Sequence, residues 1–173
     1  MKSNILIIVA HPDDEAIGMG GTISKHVSRG DNVFVLPMTD GVSSRKETNK
    51  KQIILRANEA RISSECLGFK WLNNAGFDDN RMDNYPLLDV VKSIEEEKEK
   101  ISPQIVYTHS GADLNIDHRI VLNAVLAAFR PQPKEICKEI RLFEVPSATD
   151  YGSDTISESF KPNLFIIEIS SIS

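Results

Sequence analysis

The sequence has little cysteine and no long hydrophobic run. Its two cysteines, Cys66 and Cys137, lie far apart in a chain of 173 residues, with neither the paired spacing of a zinc site nor the density of a disulfide scaffold. The apolar run at residues 5–10 is too short to cross a bilayer or to form the core of a signal peptide. We therefore expect reduced thiols and a cytoplasmic protein with no membrane span.

An excess of positive charge is also missing. The chain has 25 acidic and 20 basic residues, for a formal net charge of -5, and no long block of like charges. It thus lacks the basic surface typical of nucleic-acid-binding proteins, and we expect no nucleic acid as a partner. No internal repeat or low-complexity segment divides the chain. Its length suits one domain, residues 1–173, with a single core.

What the sequence does contain is an alternation of strand-like and helix-like segments. Apolar runs predict strands at residues 5–10, 32–38, 69–72, 104–110, 139–145 and 163–169. Helical spacing and end signals predict helices at residues 20–27, 47–67, 86–100 and 118–129. This alternation predicts an α/β fold with a mostly parallel sheet and helices on both faces.

Polar segments directly follow three of the predicted strands. The sequence HPDDE at residues 11–15 follows the first strand, TDG at 39–41 follows the second, and residues 110–119, which include NIDHR, follow the fourth. Ligands of such sheets bind outside the carboxyl ends of the strands. We therefore expect these polar side chains to gather at one edge of the sheet.

Two of these segments carry residue types that bind metals. The spacing of His11 and Asp14 on a turn lets an imidazole and a carboxylate converge on one cation. His118 is the best candidate for a third ligand, since two histidines and one carboxylate commonly hold a divalent ion that keeps a water. Asp13 would then point elsewhere and act as general base. Each residue alone has a structural interpretation, as a helix cap or a core imidazole, but their combination favours a metal site.

These residues resemble the motifs of the PIG-L family of zinc-dependent de-N-acetylases, also called the LmbE-like family. The matching motifs are AHPDDE at residues 10–15, TDG at 39–41, RANE at 56–59 and DH at 117–118. The resemblance spans nearly the whole chain and implies a Rossmann-like fold. It also implies an enzyme that removes the acetyl group from an N-acetylglucosamine-type sugar, free or on a carrier.

The resemblance further implies roles for individual residues. His11, Asp14 and His118 would bind Zn²⁺, although such a nitrogen and oxygen site also accepts other divalent ions. Asp13 would take a proton from the attacking water and return it to the leaving amine. Arg56 would help to hold the substrate.

The group that stabilises the oxyanion is left open. Many family members have a histidine three residues before the last metal ligand, where this sequence has Asn115. Either His109, at the end of the fourth predicted strand, or Asn115 itself could fill this role. Asp117 is a candidate to orient a metal ligand through its second ring nitrogen.

The polar loop at residues 77–86 lies at the expected active edge of the sheet. Its side chains include Asp79 and Arg81, which we expect to bind sugar hydroxyls together with Arg56. A solvated loop without a binding role is an equally good interpretation for each acid taken singly.

Two other functions stay open at this point: an amidase that acts on a thiol or glycoside conjugate, and a non-catalytic small-molecule binder. The binder is less favoured because it needs no unliganded base beside metal ligands. The family pattern would continue past Ser173 with another helix. A missing last helix would expose apolar surface of the sheet and favour homo-oligomers.

Overall fold

The computed structural model describes residues 2–44, 50–146, 148, 150 and 159–167. Its elements follow one another as β1 (Asn4–Val9), α1 (Asp14–Ser28), β2 (Asn32–Pro37), α2 (Lys50–Leu67), β3 (Lys70–Trp71), a 3₁₀ turn (Met82–Asn84), α3 (Leu87–Ile101), β4 (Ile105–His109), α4 (Ile116–Ala128) and β5 (Glu139–Phe143). This order of strands and helices confirms the predicted α/β class.

The five strands form one parallel sheet in the order β3-β2-β1-β4-β5. The chain runs from β1 outward through β2 and β3, then crosses back to place β4 on the other side of β1. The strand order therefore reverses between β1 and β4, which is where parallel α/β sheets bind ligands. Residues 11–15 and the segment after β4 both emerge at this point.

Strand β1 is the most deeply buried part of the sheet. Residues 5–10 have no exposed surface, and alternate side chains enter two different hydrophobic clusters. One cluster joins the sheet to α3 and α4, and the other joins it to α1. Since β1 is held on both faces, the turn that follows it begins from a fixed position.

Helix α1 starts earlier than its glycines suggest. The predicted helix began at residue 20, whereas α1 begins at Asp14 and contains a kink at Met19. Gly18 permits a close approach to β5, because a Cβ atom there would lie 2.6 Å from both the Glu144 carbonyl oxygen and the Phe143 ring. Gly18 is thus used for packing inside a helix that begins at the motif itself.

The predicted sixth strand is wrong over residues 163–167, which lie outside regular secondary structure, while residues 168 and 169 fall outside the described part. Leu164, Phe165 and Ile167 are 52%, 73% and 71% exposed. This apolar run resembles a buried strand in sequence, but neither face of the sheet covers it. The first three residues of the predicted helix at 47–67 also fall outside the described part.

Two smaller expectations concern the cysteines and the membrane. Cys66 and Cys137 are free thiols, as predicted. Within the described ranges, no helix combines the length and the apolar character that crossing a bilayer requires.

Candidate functional site

The turn between β1 and α1 brings the first two predicted ligands together. The His11 backbone N–H donates to Asp14 Oδ2 at 2.9 Å, and the Asp14 N–H donates to the His11 carbonyl at 3.3 Å. These bonds close the turn around Pro12. As a result, His11 Nδ1 lies 3.4 Å from Asp14 Oδ2, and both side chains are buried.

Helix α4 contributes the third predicted ligand. His118 lies in the first turn of this helix, and its Nε2 is 3.2 Å from His11 Nδ1 and 3.4 Å from Asp14 Oδ2. The three donor atoms belong to a group whose members all lie within 4.8 Å of one another. The tertiary structure thus brings together the two nitrogens and one oxygen that the sequence analysis selected.

Each imidazole has one ring nitrogen that faces Asp14, its inner nitrogen, and one that faces away from it, its outer nitrogen. Carboxylates hold the outer nitrogen in both cases. His11 Nε2 lies 3.3 Å from Asp117 Oδ2 and 3.2 Å from Asp79 Oδ1, and His118 Nδ1 lies 2.9 Å from Asp113 Oδ2. A proton on each outer nitrogen leaves the inner nitrogen with a free lone pair. Both imidazoles are therefore oriented as metal-binding histidines usually are.

The carboxylates behind His11 are themselves held in place. Asp117 accepts the backbone N–H groups of Asn80 at 2.7 Å and Met82 at 3.1 Å. Asp79 accepts the Ser44 hydroxyl at 2.7 Å. The loop between β3 and α3 therefore sets the orientation of His11 through these acids.

The pKa of His11 reflects this acidic surrounding. Burial lowers the pKa, but hydrogen bonds to Asp117, Asp14 and Asp79 outweigh it and raise the pKa to about 11. Burial likewise raises the pKa of Asp14, yet its contacts with the two imidazoles hold this pKa well below the usual value. The surroundings of His11 therefore favour positive charge.

His118 is affected in the same way. Burial lowers its pKa, whereas hydrogen bonds to Asp113 and Asp14 raise it to about 9. The aspartates that contact the two imidazoles are all buried, at 4% exposure or less: Asp14, Asp79, Asp113 and Asp117. A cation between the inner nitrogens would neutralise this charge in place of the protons.

The donor set fits a divalent ion. Two imidazole nitrogens and one carboxylate oxygen are a common ligand set for catalytic zinc, in which a further position stays open. A second set of residues, His11 with Asp79 and Asp117, also has ligand atoms that lie within 4.8 Å of one another. This set suits a metal less well, because Asp117 already accepts two backbone N–H groups. Asp79 and Asp117 serve instead to orient His11.

Asp13 is partly exposed, unlike the three buried candidate ligands. It is the residue before α1, with φ of 151°, in a region that residues with a side chain rarely adopt. Its carboxylate does not cap the helix but accepts a hydrogen bond from Arg56 Nη2, which reaches it from α2. Arg56 therefore contacts the predicted base directly, in a way that the sequence analysis did not foresee.

A cavity of about 770 Å³ adjoins this pair of residues, between α2 and β3. Its lining includes Pro12, Asp40, Arg56 and Trp71. Arg56 thus lines this cavity and the Asp13 side chain is 38% exposed, whereas the three candidate ligands are buried.

The two residues predicted to stabilise an oxyanion both have contacts within the protein. His109 is fully buried, stacks on His118 with ring centroids 3.8 Å apart, and accepts the Ala10 N–H at Nε2. Burial, followed by repulsion from His118, lowers its pKa to about 3. Asn115 caps α4 by accepting the Asp117 N–H at 2.9 Å. Both positions support structural roles.

Of the two loop residues predicted to bind sugar, Asp79 is placed differently from expectation. Asp79 is 2% exposed and lies against His11, so it cannot present its carboxylate to a sugar hydroxyl in this arrangement. Arg81 is exposed, and its side chain makes no hydrogen bond or ion pair within the described part of the chain. Asp117 does lie against His11, which is the contact predicted for a residue that orients a ligand.

Sequence reasoning missed the contacts of two acids, Asp113 and Glu15. Asp113 is buried and holds His118 Nδ1. Glu15, the last residue of the HPDDE segment, is buried with its Oε2 on the Asp13 N–H. Glu15 directly follows Asp14 in the sequence and Asp113 lies five residues before His118, and this proximity was the only available signal.

Comparisons with known proteins identify the family to which the chain is similar. The family model described as PIG-L, GlcNAc-PI de-N-acetylase, matches residues 6–129. The "Uncharacterized deacetylase YaiS" of Escherichia coli is 28% identical over 176 residues, which cover 99% of this chain and 89% of that protein. The "Probable N-acetyl-alpha-D-glucosaminyl L-malate deacetylase 2" of Bacillus cereus is 29% identical over 142 residues, or 78% of this chain and 64% of that protein.

A solved structure shares the fold. N,N'-diacetylchitobiose deacetylase from Pyrococcus horikoshii, in complex with an inhibitor, is 24% identical and matches with a TM-score of 0.67. The match covers 82% of this chain but 60% of that one, so the chain spans less than two thirds of this structure.

Proposed function

Since the chain belongs to the PIG-L family, we propose that it is a metal-dependent hydrolase that removes the acetyl group from an N-acetylated sugar. The observation that carries this proposal is the convergence of His11, Asp14 and His118 on one point, with Asp13 beside them and partly open to solvent. A site that only bound a metal for stability would be closed by a fourth protein ligand.

The metal would be held by His11 Nδ1, Asp14 and His118 Nε2. When bound, Zn²⁺ or a similar ion lowers the pKa of water and polarises the amide carbonyl. The buried aspartates keep both imidazoles in the tautomer that binds a cation. This division of roles explains why acids surround the ligands on the side away from solvent.

The proton transfers are the task of Asp13. Its carboxylate takes a proton from the attacking water and returns it to the nitrogen of the leaving group. The amide C–N bond then breaks, and acetate and a free amine are released. Arg56 holds the Asp13 carboxylate from α2 and is near enough to contact the substrate as well.

An N-acetylglucosamine-type sugar conjugate is the substrate class that the relatives favour. The protein from Bacillus cereus is named for an N-acetylglucosaminyl malate, and the structure from Pyrococcus horikoshii is of an enzyme named for diacetylchitobiose. The cavity beside Arg56 leaves room for a substituent on the sugar.

The test combines metal analysis with a substrate panel. We would measure the metal content of the purified chain and of His11→Ala, His118→Ala and the control His26→Ala, whose imidazole is buried elsewhere, against Tyr107. The proposal expects about one divalent ion per chain, lost in the first two variants and kept in the control. Release of free amine from N-acetylglucosamine, diacetylchitobiose and N-acetylglucosaminyl malate would then identify the substrate. A chain that binds no metal after reconstitution would contradict the proposal.

A further inference from the structure

Glu15 is a buried acid that the proposed mechanism does not use. It is 1% exposed, and its Oε2 accepts the Asp13 backbone N–H at 3.1 Å. Its other oxygen, Oε1, is buried without a hydrogen-bond partner among the described residues. Burying a carboxyl group that is only half satisfied costs free energy. Such a cost is typical of groups that are retained for function rather than for stability.

The hydrogen bond that Glu15 accepts from the Asp13 N–H changes how helix α1 is capped. An aspartate just before a helix normally turns its own carboxylate back onto the first N–H groups. Asp13 occupies that position, and its carbonyl accepts the N–H groups of Ala16 and Ile17 at 3.0 and 2.9 Å, but its carboxylate makes no cap. The Glu15 side chain reaches back to the Asp13 N–H instead, as the acid of a capping box does. The Asp13 carboxylate is therefore not used in the cap and pairs with Arg56 instead.

The backbone of Asp13 needs such support. Its φ of 151° is unfavourable for any residue with a Cβ atom, and a strained conformation persists only where its neighbours impose it. Here Asp14 closes the turn on one side through the His11 N–H, and Glu15 holds the N–H of Asp13 itself. The strained residue is also the proposed base, so the direction of its carboxylate depends on this conformation.

We propose that Glu15 is a positioning residue for Asp13: its buried carboxyl group holds the Asp13 backbone in the conformation that frees the base for proton transfer. This inference rests on the proposed function. It extends the site by one residue, Glu15. This residue is not one of the candidate metal ligands and does not line the cavity beside Arg56.

Two variants test whether Glu15 positions Asp13. Glu15→Gln keeps a side-chain oxygen that can accept the Asp13 N–H, whereas Glu15→Met keeps the length of the side chain and removes the acceptor. We expect kcat to fall by about 10- to 100-fold in Glu15→Met, with Glu15→Gln between this variant and the wild type. The metal content and KM should remain close to those of the wild type. The melting temperature of Glu15→Met should not fall, because an unsatisfied buried carboxyl group is removed.

Crystal structures of the two variants separate this proposal from the proposed function. In Glu15→Met we expect Asp13 to leave its positive φ and its carboxylate to turn toward the helix. Wild-type kcat in Glu15→Met, loss of its metal, or an unchanged Asp13 backbone would each overturn the positioning role. If the wild type deacetylates none of the sugars, the proposed function fails, and the Asp13 backbone in Glu15→Met still decides what Glu15 does.

Discussion

His118 Nε2 lies 3.2 Å from His11 Nδ1, although 107 positions separate the two residues in the sequence. Each imidazole turns its other nitrogen toward a buried aspartate, Asp113 for His118 and Asp117 for His11. The other ring nitrogens, His11 Nδ1 and His118 Nε2, therefore face each other across a gap that also contains Asp14 Oδ2. A cation between them would satisfy all three groups, and the predictions below depend on this arrangement.

Removing one acid behind His11 should weaken metal binding. Asp79→Asn leaves the ligands in place but replaces a carboxylate that His11 Nε2 contacts at 3.2 Å. We expect a loss of about 10- to 100-fold in metal affinity, because acids of this kind hold the tautomer and the ring orientation. Asp83→Asn, an exposed acid in the same loop, is the matched control. Competition with a chelating dye would measure both, and equal affinities would exclude an orienting role for Asp79.

Replacing the proposed base should separate metal binding from turnover. Asp13→Asn keeps the size of the side chain and its contact with Arg56, but an amide cannot take the proton of the attacking water. We expect kcat to fall by about 10²- to 10⁴-fold while the metal content is unchanged. Kinetics and elemental analysis on the same preparation would check this. Full activity of Asp13→Asn would move the base to another residue.

Arg56 should affect turnover more strongly than its neighbours on α2. Arg56→Ala removes the guanidinium that holds the Asp13 carboxylate, so we expect a lower kcat and a higher KM with the metal retained. Lys51→Ala is the control, since Lys51 is an exposed cation on the same helix and does not line the cavity beside Arg56. Similar kinetics for the two variants would show that the contact between Arg56 and Asp13 has no role in the reaction.

Replacing either of two glycines in α1 with alanine should change the free energy of unfolding, in opposite directions at the two positions. Gly18→Ala would place a methyl group 2.6 Å from the Glu144 carbonyl oxygen, and we expect the free energy of unfolding to fall by about 1–3 kcal/mol. Gly21 has open space around it, so Gly21→Ala should raise the free energy of unfolding by about 0.5–1 kcal/mol. Urea unfolding of both variants would measure the difference. A tolerated alanine at residue 18 would mean that α1 and β5 do not pack this closely.

Much of the fold was predictable because it depends on local patterns. The buried run of β1 and the alternation of strands and helices predicted a parallel sheet, and the carboxyl ends of parallel strands lie at one edge. The apolar run at residues 163–167 had the same local pattern as a strand, yet the structure leaves it exposed. Whether an apolar segment joins a sheet depends on the surface available to it, and this is not a local property.

The sequence by itself determined which side chains meet at this edge: His11, Asp13, Asp14 and His118 follow strands that end side by side. Only the tertiary structure decided what the surrounding residues do. It buried Asp79 against an imidazole and Glu15 beneath the Asp13 backbone, while His109 became a buried partner of His118. The physical reason is that residue type and spacing can specify which groups approach one another. Burial and the direction of each hydrogen bond depend on contacts between segments that are distant in the chain.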